Sequence, residues 1–391
     1  MDILVLNAGS STLKTALFRL PAGELVWEGF IDWVQAEQKT KTYPEAHVHK
    51  IIFDKETDRH TVIRGLFQGL DISKIGCVGH RVVHGGDRYH QAVFLTPEVV
   101  QTIADLAHFA PIHNPAALEG IKQITAILGE HIPQVAVFDT AFHAHLPLTA
   151  ALYPIPYKYF TQGIRKYGFH GTSHRYVAQQ TAQLLGRDLS ELKLITCHLG
   201  NGCSLAAIAD GHSIDTTMGF TPLAGLMMGT RSGDIDPSIL IHLGRTEGLS
   251  FEQLDRLLNR ESGLLGVSGI SSDLRAILQA KAEGNPRAKL AYDVFIHRLR
   301  ACLGSMLASL GGLDGIVFTG GIGENSPLVR ADALANFRFL GIELDMERNQ
   351  STIATNQIIS SPTSAIQVFV IHTQEDRAIA GECWQLLHQE S

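Results

Sequence analysis

No C-x-x-C pair occurs in this sequence. Its five cysteines, Cys77, Cys197, Cys203, Cys302 and Cys383, are odd in number and scattered. That argues against a disulfide framework and against a structural zinc site. An apolar run of about 18 residues, the length of a membrane-spanning helix, is missing. So is any long basic run: the net charge is −7 at pH 7, and no patch that tracks nucleic-acid phosphates is expected. A secretory leader would need a basic start and a longer apolar stretch, whereas MDILVLNAGSS begins with an acid and enters a strand-like run. A cytoplasmic protein that binds neither nucleic acid nor membrane is expected. Two nucleotide signatures are absent as well. G-x-x-x-x-G-K-[ST] does not occur, and no G-x-G-x-x-G follows the first strand-like run.

What is present is ample chain. At 391 residues, two or three domains are expected, with enough core to need no metal or disulfide staple. Residues 2–6 (DILVL) read as a strand, Asn7-Ala8-Gly9-Ser10-Ser11 as a tight loop, and TLKTALFRL as a returning strand. LITCHL, Gly200-Asn201-Gly202-Cys203 and SLAAIA repeat that figure at 194–208, which suggests a duplicated architecture. Thr96-Pro97-Glu98 and Asn114-Pro115 open helices, and Ser250 with Gln253 forms a capping box. Residues 287–310 form a long helix closed by Gly311-Gly312, and GIVFTGG at 315–321 is a buried strand entering a glycine turn. Strands alternating with helices indicate an α/β protein.

Three glycine loops, at 7–11, 200–203 and 320–325, are candidate phosphate cradles, because glycine lets backbone N–H groups approach an anion closely. Each alone is more often an ordinary turn. Arg81 and Arg231 sit among glycines, in GHRVVHGGDRY and MGTRSGDIDP. Both read as guanidinium forks for carboxylate or phosphate oxygens, or else as solvated loop arginines. Asp139 ends the strand-like QVAVFD, and Glu375 follows the apolar run AIQVFVIHTQ. Two strand-end carboxylates suit Mg²⁺, although Asp139 also reads as a helix N-cap. His170 and His174, four residues apart in YGFHGTSH, are not read as a metal pair: Gly171 interrupts and no third ligand is apparent. His170 is a candidate donor to a transferring phosphoryl group, or a core histidine.

Together these motifs resemble the acetate kinase family, of the acetate and sugar kinase, chaperone ATPase and actin superfamily. The matching stretches are VLNAGSSTLK, GHRVVHGG, PIHNPAAL, FDTAFH, YGFHGTSHRYV, HLGNGCSL, DTTMGFTPLAGLMMGTRSGDIDP, ESGLLGVSGISSDLR and FTGGIGEN, in order along nearly the whole chain. The resemblance implies a two-domain, duplicated actin-like ATPase fold of the ribonuclease H-like type with an interdomain cleft. It divides the chain into 1–145 plus 377–391 and 146–376.

The implied reaction is ATP-dependent phosphorylation of acetate to acetyl phosphate, in line and reversible, in a homodimer that uses Mg²⁺, with Mn²⁺ able to substitute. Arg81, Asp139, His170 and Arg231 would be catalytic. Arg81 with Val83, Ile112, Phe169 and Pro222 would hold the acyl substrate. Asn7, Ser10, Ser11, Thr12, Lys14, His198, Gly200, Asn201 and Gly202 would face the phosphates of ATP or ADP. Asp273, Leu274, Arg275, Gly320, Gly321, Ile322, Gly323, Glu324 and Asn325 would surround the rest of the nucleotide. Asn7 and Glu375 would serve the metal. Three departures stand out: Thr373-Gln374-Glu375-Asp376 replaces a usual threonine-asparagine-glutamate-glutamate, Leu274 stands where many members have an aromatic residue, and Thr12 replaces a serine. A kinase for propionate or butyrate is the near alternative. A non-kinase actin- or chaperone-like ATPase module is the remoter one, since such modules need no pair of arginines flanking an apolar pocket.

Overall fold

A computed structural model describes residues 1–9, 12–43, 47–54, 56–111, 113–351 and 355–389. The chain divides into two compact units, Met1–Ala144 with Gln374–Ser391, and His145–Thr373.

The first unit is built on an eight-stranded sheet. Its strands are β1 (Asp2–Ala8), β2 (Thr12–Arg19), β3 (Glu24–Asp32), β4 (Glu37–Thr42), β5 (His47–Ile52), β6 (Ile75–Val82), β7 (Val93–Phe94) and β8 (Gln134–Phe138), in the order β5-β4-β3-β2-β1-β6-β8-β7. β1 turns back antiparallel into β2, with Asn7 opposite Lys14, while β1, β6 and β8 run parallel. β1 is apolar on both faces because both are covered. Leu4 and Leu6 pack with Val62, Leu66 and Ile124 on one side. Ile3 and Val5 meet Cys77, Ile379 and Cys383 on the other, where the C-terminal helix Glu375–Gln389 lies.

The second unit repeats the plan with β9 (Leu194–Leu199), β10 (Cys203–Ala209), β11 (His212–Thr216), β12 (Gly315–Thr319), β13 (Gln357–Ile358) and β14 (Gln367–Val370), ordered β11-β10-β9-β12-β14-β13. Three antiparallel strands again lead into parallel ones, β9 beside β12 beside β14. The series β3-β2-β1-β6-β8 therefore has its counterpart in β11-β10-β9-β12-β14, and the duplication read from two hairpins extends to five strands in each unit. Thr96 and Ser250 cap their helices as the sequence predicts, the latter in a full capping box, and the long helix spans Pro286–Leu310 with Gly311 left-handed beyond it.

One local expectation fails. Glu375 does not end a strand. β14 stops at Val370, and Glu375 opens the C-terminal helix, in the first unit. A carboxylate in a helix's first turn is favoured by the N–H groups exposed there.

Candidate active site

In an open α/β sheet, side chains gather at the carboxyl ends of the parallel strands. In the first unit those ends deliver Asn7 from β1, Arg81 from β6 and Asp139 just after β8. Arg81 meets Asp139 side-on: Nε–H donates to Oδ1 at 2.9 Å and Nη2–H to Oδ2 at 2.7 Å. Nη1 reaches Asn7 Oδ1 at 3.4 Å and lies 3.5 Å from Glu375 Oε2. Burial works against the charge on Arg81, but Asp139, Glu375 and Asp376 outweigh it and raise its pKa above the ordinary arginine value. The Asp376 carboxyl is pushed up to about 6, by desolvation first and by the neighbouring Glu375 charge second.

The loop after β6 is held by the other motifs of this unit. Asn114 accepts from His84 N–H at 3.2 Å and donates to the His84 carbonyl at 3.1 Å; Gly85 N–H donates to Thr140 Oγ1 at 3.1 Å. Asn114, read from the sequence only as a helix start, and Thr140, which that reading does not single out, are supporting residues. Val83, two residues past Arg81, is partly exposed. Thr12 and Lys14 lie on β2. Ser10, Ser11 and Ile112 fall outside the described residues.

In the second unit the hairpin loop 200–202 joins β9 to β10. Gly202 marks a point of convergence. A β-carbon there would lie 3.5 Å from His170 Nε2 and 3.6 Å from Arg231 Nη1. Arg231 donates through Nη1 to the Pro222 carbonyl at 2.9 Å and has no carboxylate partner among the described residues. Desolvation accordingly lowers its pKa. A half-buried, desolvated guanidinium without a counter-ion is the electrostatic signature of a site for an anion. The loop that carries Arg231 lies against Asn201, and at Gly229 a β-carbon would collide with the Asn201 side chain and press on the Ser272 carbonyl at 3.0 Å, which favours glycine there. His170, left-handed at φ 56°, caps the helix Gly171–Leu185 and stacks on His198 with ring centroids 4.3 Å apart. Both ring nitrogens of His174 are hydrogen-bonded, to Thr196 Oγ1 and Ser204 Oγ at 2.7 Å each. Phe169 is buried beside His170 in the chain.

A cavity of about 610 Å³ opens in this same unit, lined by Gly200, Asn201, Ser272 to Arg275, Leu278, Gly321, Ile322, Asn325 and Ser326. That size suits a nucleoside-sized ligand. Its lining unites the hairpin loop with the helix Gly320–Asn325. Glu324, expected to face the nucleotide, braces the loop from behind instead. Its Oε1 accepts from Gly320 N–H at 2.9 Å and Thr373 N–H at 3.0 Å, and its Oε2 lies 2.7 Å from His372 Nδ1. Gly320 and Gly323 are buried and also stay off the cavity wall.

The family model of the acetokinase family matches residues 2–381. The chain belongs to the acetokinase family. An acetate kinase of a Cyanothece species is 56% identical to it over the full length of both chains. Among solved structures, the Porphyromonas gingivalis acetate kinase superposes with a TM-score of 0.92 at 38% identity, covering 99% of each chain. A propionate kinase from Francisella tularensis gives 0.91 at 39% identity, covering 97% of this chain and 98% of the other. Both solved kinases share the fold described here.

Proposed function

We propose that the chain is an acetate kinase, transferring the γ-phosphoryl group of ATP to a carboxylate oxygen of acetate to give acetyl phosphate and ADP, reversibly. The observation that carries this reading is the convergence of His170 and the counter-ion-free Arg231 on Gly202, in the unit that holds the nucleotide-sized cavity. The acceptor carboxyl titrates near 4 and is ionised at pH 7, so no general base is needed. Its oxygen bonds to the γ-phosphorus while the bond from phosphorus to the bridging oxygen of ADP breaks. The obstacle is bringing one anion to another. Arg231 and His170 hold the oxygens of the transferring group, and Arg81, fixed by Asp139, grips the acceptor carboxylate through its remaining edge. Val83, Phe169 and Pro222 are the residues we assign to the acyl group, and the second unit supplies the nucleotide site.

Among the described residues no group of three His, Cys, Asp or Glu side chains is placed to hold a metal by itself. Both Asp139 oxygens are engaged by Arg81, which suits an anchoring role better than a metal-ligand role. The crowded Glu375–Asp376 pair does fit a cation that arrives with ATP, since Mg²⁺ takes one or two carboxylates and keeps waters and phosphates. Asn7 and Glu375 would hold it, and it would neutralise phosphate charge. Mn²⁺ could replace it.

No helix among the described residues is long and apolar enough to cross a membrane, and we place the enzyme in the cytoplasm. It acts as a homodimer. The helix Ser238–Thr246 (SILIHLGRT) has no buried residue, Ile241 is 56% exposed and the nearby Phe251 is 88% exposed, an apolar face suited to a second copy. A propionate-directed enzyme is the second reading, because the Francisella relative with nearly the same fold is a propionate kinase. Trapping acyl phosphate as hydroxamate, with acetate, propionate and butyrate offered alongside ATP, tests both. A kcat/KM highest for propionate overturns the acetate assignment, and no acyl phosphate from any acid overturns the kinase reading.

A further inference from the structure

Behind His170 lies a row of buried polar groups with no substrate-facing task of their own. Thr196 on β9, His174 in the first turn of the helix Gly171–Leu185, and Ser204 on β10 are all fully buried. Thr196 Oγ1 is 2.7 Å from His174 Nδ1, His174 Nε2 is 2.7 Å from Ser204 Oγ, and Ser204 Oγ is 2.9 Å from His170 Nδ1. The row therefore has three links and ends on the ring whose other nitrogen, Nε2, lies 3.5 Å from the β-carbon position of Gly202.

Proton counting gives the row a direction. Each hydroxyl has one proton, and a neutral imidazole has one donor and one acceptor nitrogen. Among the described residues, Thr196 Oγ1 has a single hydrogen-bond contact, the His174 ring. If that ring nitrogen donated, the threonine proton would be left unsatisfied in the interior, at a cost of about 1–3 kcal/mol. Thr196 O–H therefore donates to His174 Nδ1. His174 then carries its proton on Nε2 and donates to Ser204 Oγ. Ser204 O–H donates to His170 Nδ1, which leaves the His170 proton on Nε2.

We propose that Thr196, His174 and Ser204 are positioning residues that lock His170 as the Nε2–H tautomer, so that it offers a donor rather than a lone pair to the oxygens of the transferring phosphoryl group. This rests on the reading of His170 as a phosphoryl-holding residue. The stack on His198 fixes the ring plane, and Ser173 Oγ, 2.8 Å from His198 Nδ1, fixes the stacking partner. The opposite tautomer would set a lone pair against an anionic oxygen beside Arg231 and convert an attraction into a repulsion. The tautomer of His170 is thus set by a hydroxyl three hydrogen bonds away.

The test is long-range proton–nitrogen correlation spectroscopy on full-length protein with nitrogen-15 histidine, His170→Gln providing the assignment. Steady-state kinetics on Thr196→Val, Thr196→Ser and Ser204→Ala run alongside. The wild-type protein without ligands is expected to show His170 and His174 as Nε2–H tautomers. Thr196→Val is nearly isosteric and is expected to mix the His170 tautomers and lower kcat roughly three- to tenfold, about one neutral hydrogen bond, with KM for ATP little changed. Thr196→Ser is expected to restore both. An Nδ1–H tautomer at His170 in the wild-type protein overturns the proposal without any variant having to fold. So does a Thr196→Val enzyme whose kcat falls while the His170 tautomer stays put. The expected tautomer in a protein that makes no acyl phosphate upholds the relay and sinks the kinase reading, so the two fail separately.

Discussion

Asp139 holds Arg81 side-on, through Nε at 2.9 Å and Nη2 at 2.7 Å, and so commits half of the guanidinium fork before any substrate arrives. The pair is adjacent because β6 and β8 run parallel with Arg81 opposite Val137 and Val82 opposite Phe138. Removing one partner of a buried pair strands the other charge, typically at about 3–5 kcal/mol. Arg81 keeps 19% of its side chain exposed, so the lower end of that range is expected. Asp139→Ala should lower the melting temperature and also kcat, to within about tenfold of what Arg81→Ala does, because the fork loses its aim. Thermal melts and turnover on both purified variants check this. An Asp139→Ala enzyme that is folded and near wild-type in kcat would show that Arg81 needs no anchor.

Arg231 should behave in the opposite way. It is half-buried without a carboxylate partner among the described residues, and desolvation lowers its pKa. Its loss therefore relieves a desolvation cost while giving up one hydrogen bond to the Pro222 carbonyl, worth about 0.5–1.5 kcal/mol. Arg231→Met is expected to keep or slightly raise the melting temperature while kcat falls roughly 10²–10³-fold, the usual loss for one donor to a transition-state anion. Lysine should rescue poorly, since an ammonium lacks the fork. A large fall in stability together with activity would mean that Arg231 is structural.

The contrast between these two arginines was not legible in the sequence. Both sit in glycine-rich stretches and read alike, and only the strand order brings Asp139 to one of them, 58 residues away in the chain. Signals carried by neighbouring residues did survive: the β1–β2 and β9–β10 hairpins, the Ser250–Gln253 capping box and the Gly311 helix stop all stand where local chemistry puts them. Glu375 was misplaced because an apolar run carries no mark of where a strand yields to a loop. Glu324 looked like a nucleotide ligand from its motif, yet its partners His372 and Thr373 lie almost 50 residues on. Ser204 and Thr196 gave no sign at all, since a lone hydroxyl in an apolar strand becomes meaningful only when a histidine from another element meets it.

The cavity proposed for the nucleotide implies weak base selectivity. Its apolar wall comes from Leu274, Leu278 and Ile322, with no aromatic ring among the lining residues. Aliphatic contact senses shape rather than the donor and acceptor pattern of a base edge, and such discrimination stays near 10–200-fold at most. GTP should therefore support turnover with kcat/KM within about tenfold of ATP. Leu274→Phe should lower KM for both nucleotides by adding a stacking face. An ATP preference above about a thousandfold in the wild-type enzyme would reveal a base-reading contact elsewhere.

Acid should loosen the first unit through two histidines. His80 and His84 are each pushed down to about 4, chiefly by burial, against an ordinary value of 6.5. Between those values the unfolded chain binds more protons than the folded one, so stability rises with pH. The contribution is fully present above about pH 6.5, is lost as pH falls toward 4, and changes no further below. Each histidine can account for at most about 3 kcal/mol over that span. His80 also donates from Nε2 to Gln134 Oε1 at 2.7 Å, a bond that needs only the neutral ring. Asp376, raised to about 6, pulls the other way, because protonating it relieves the folded state. Glu37, held low by Lys39 and Lys50, loses its contribution only below its ordinary 4.5, so it falls outside the window. The wild-type slope therefore mixes signs, and the difference from a variant isolates one group. His80→Asn keeps a side-chain donor for Gln134 and cannot titrate. Urea unfolding at pH 7.5, 6.5, 5.5 and 4.5 should show a flatter decline for His80→Asn than for wild type, by up to about 3 kcal/mol at the acid end. Parallel declines in the two proteins would mean that His80 does not resist protonation in the folded state.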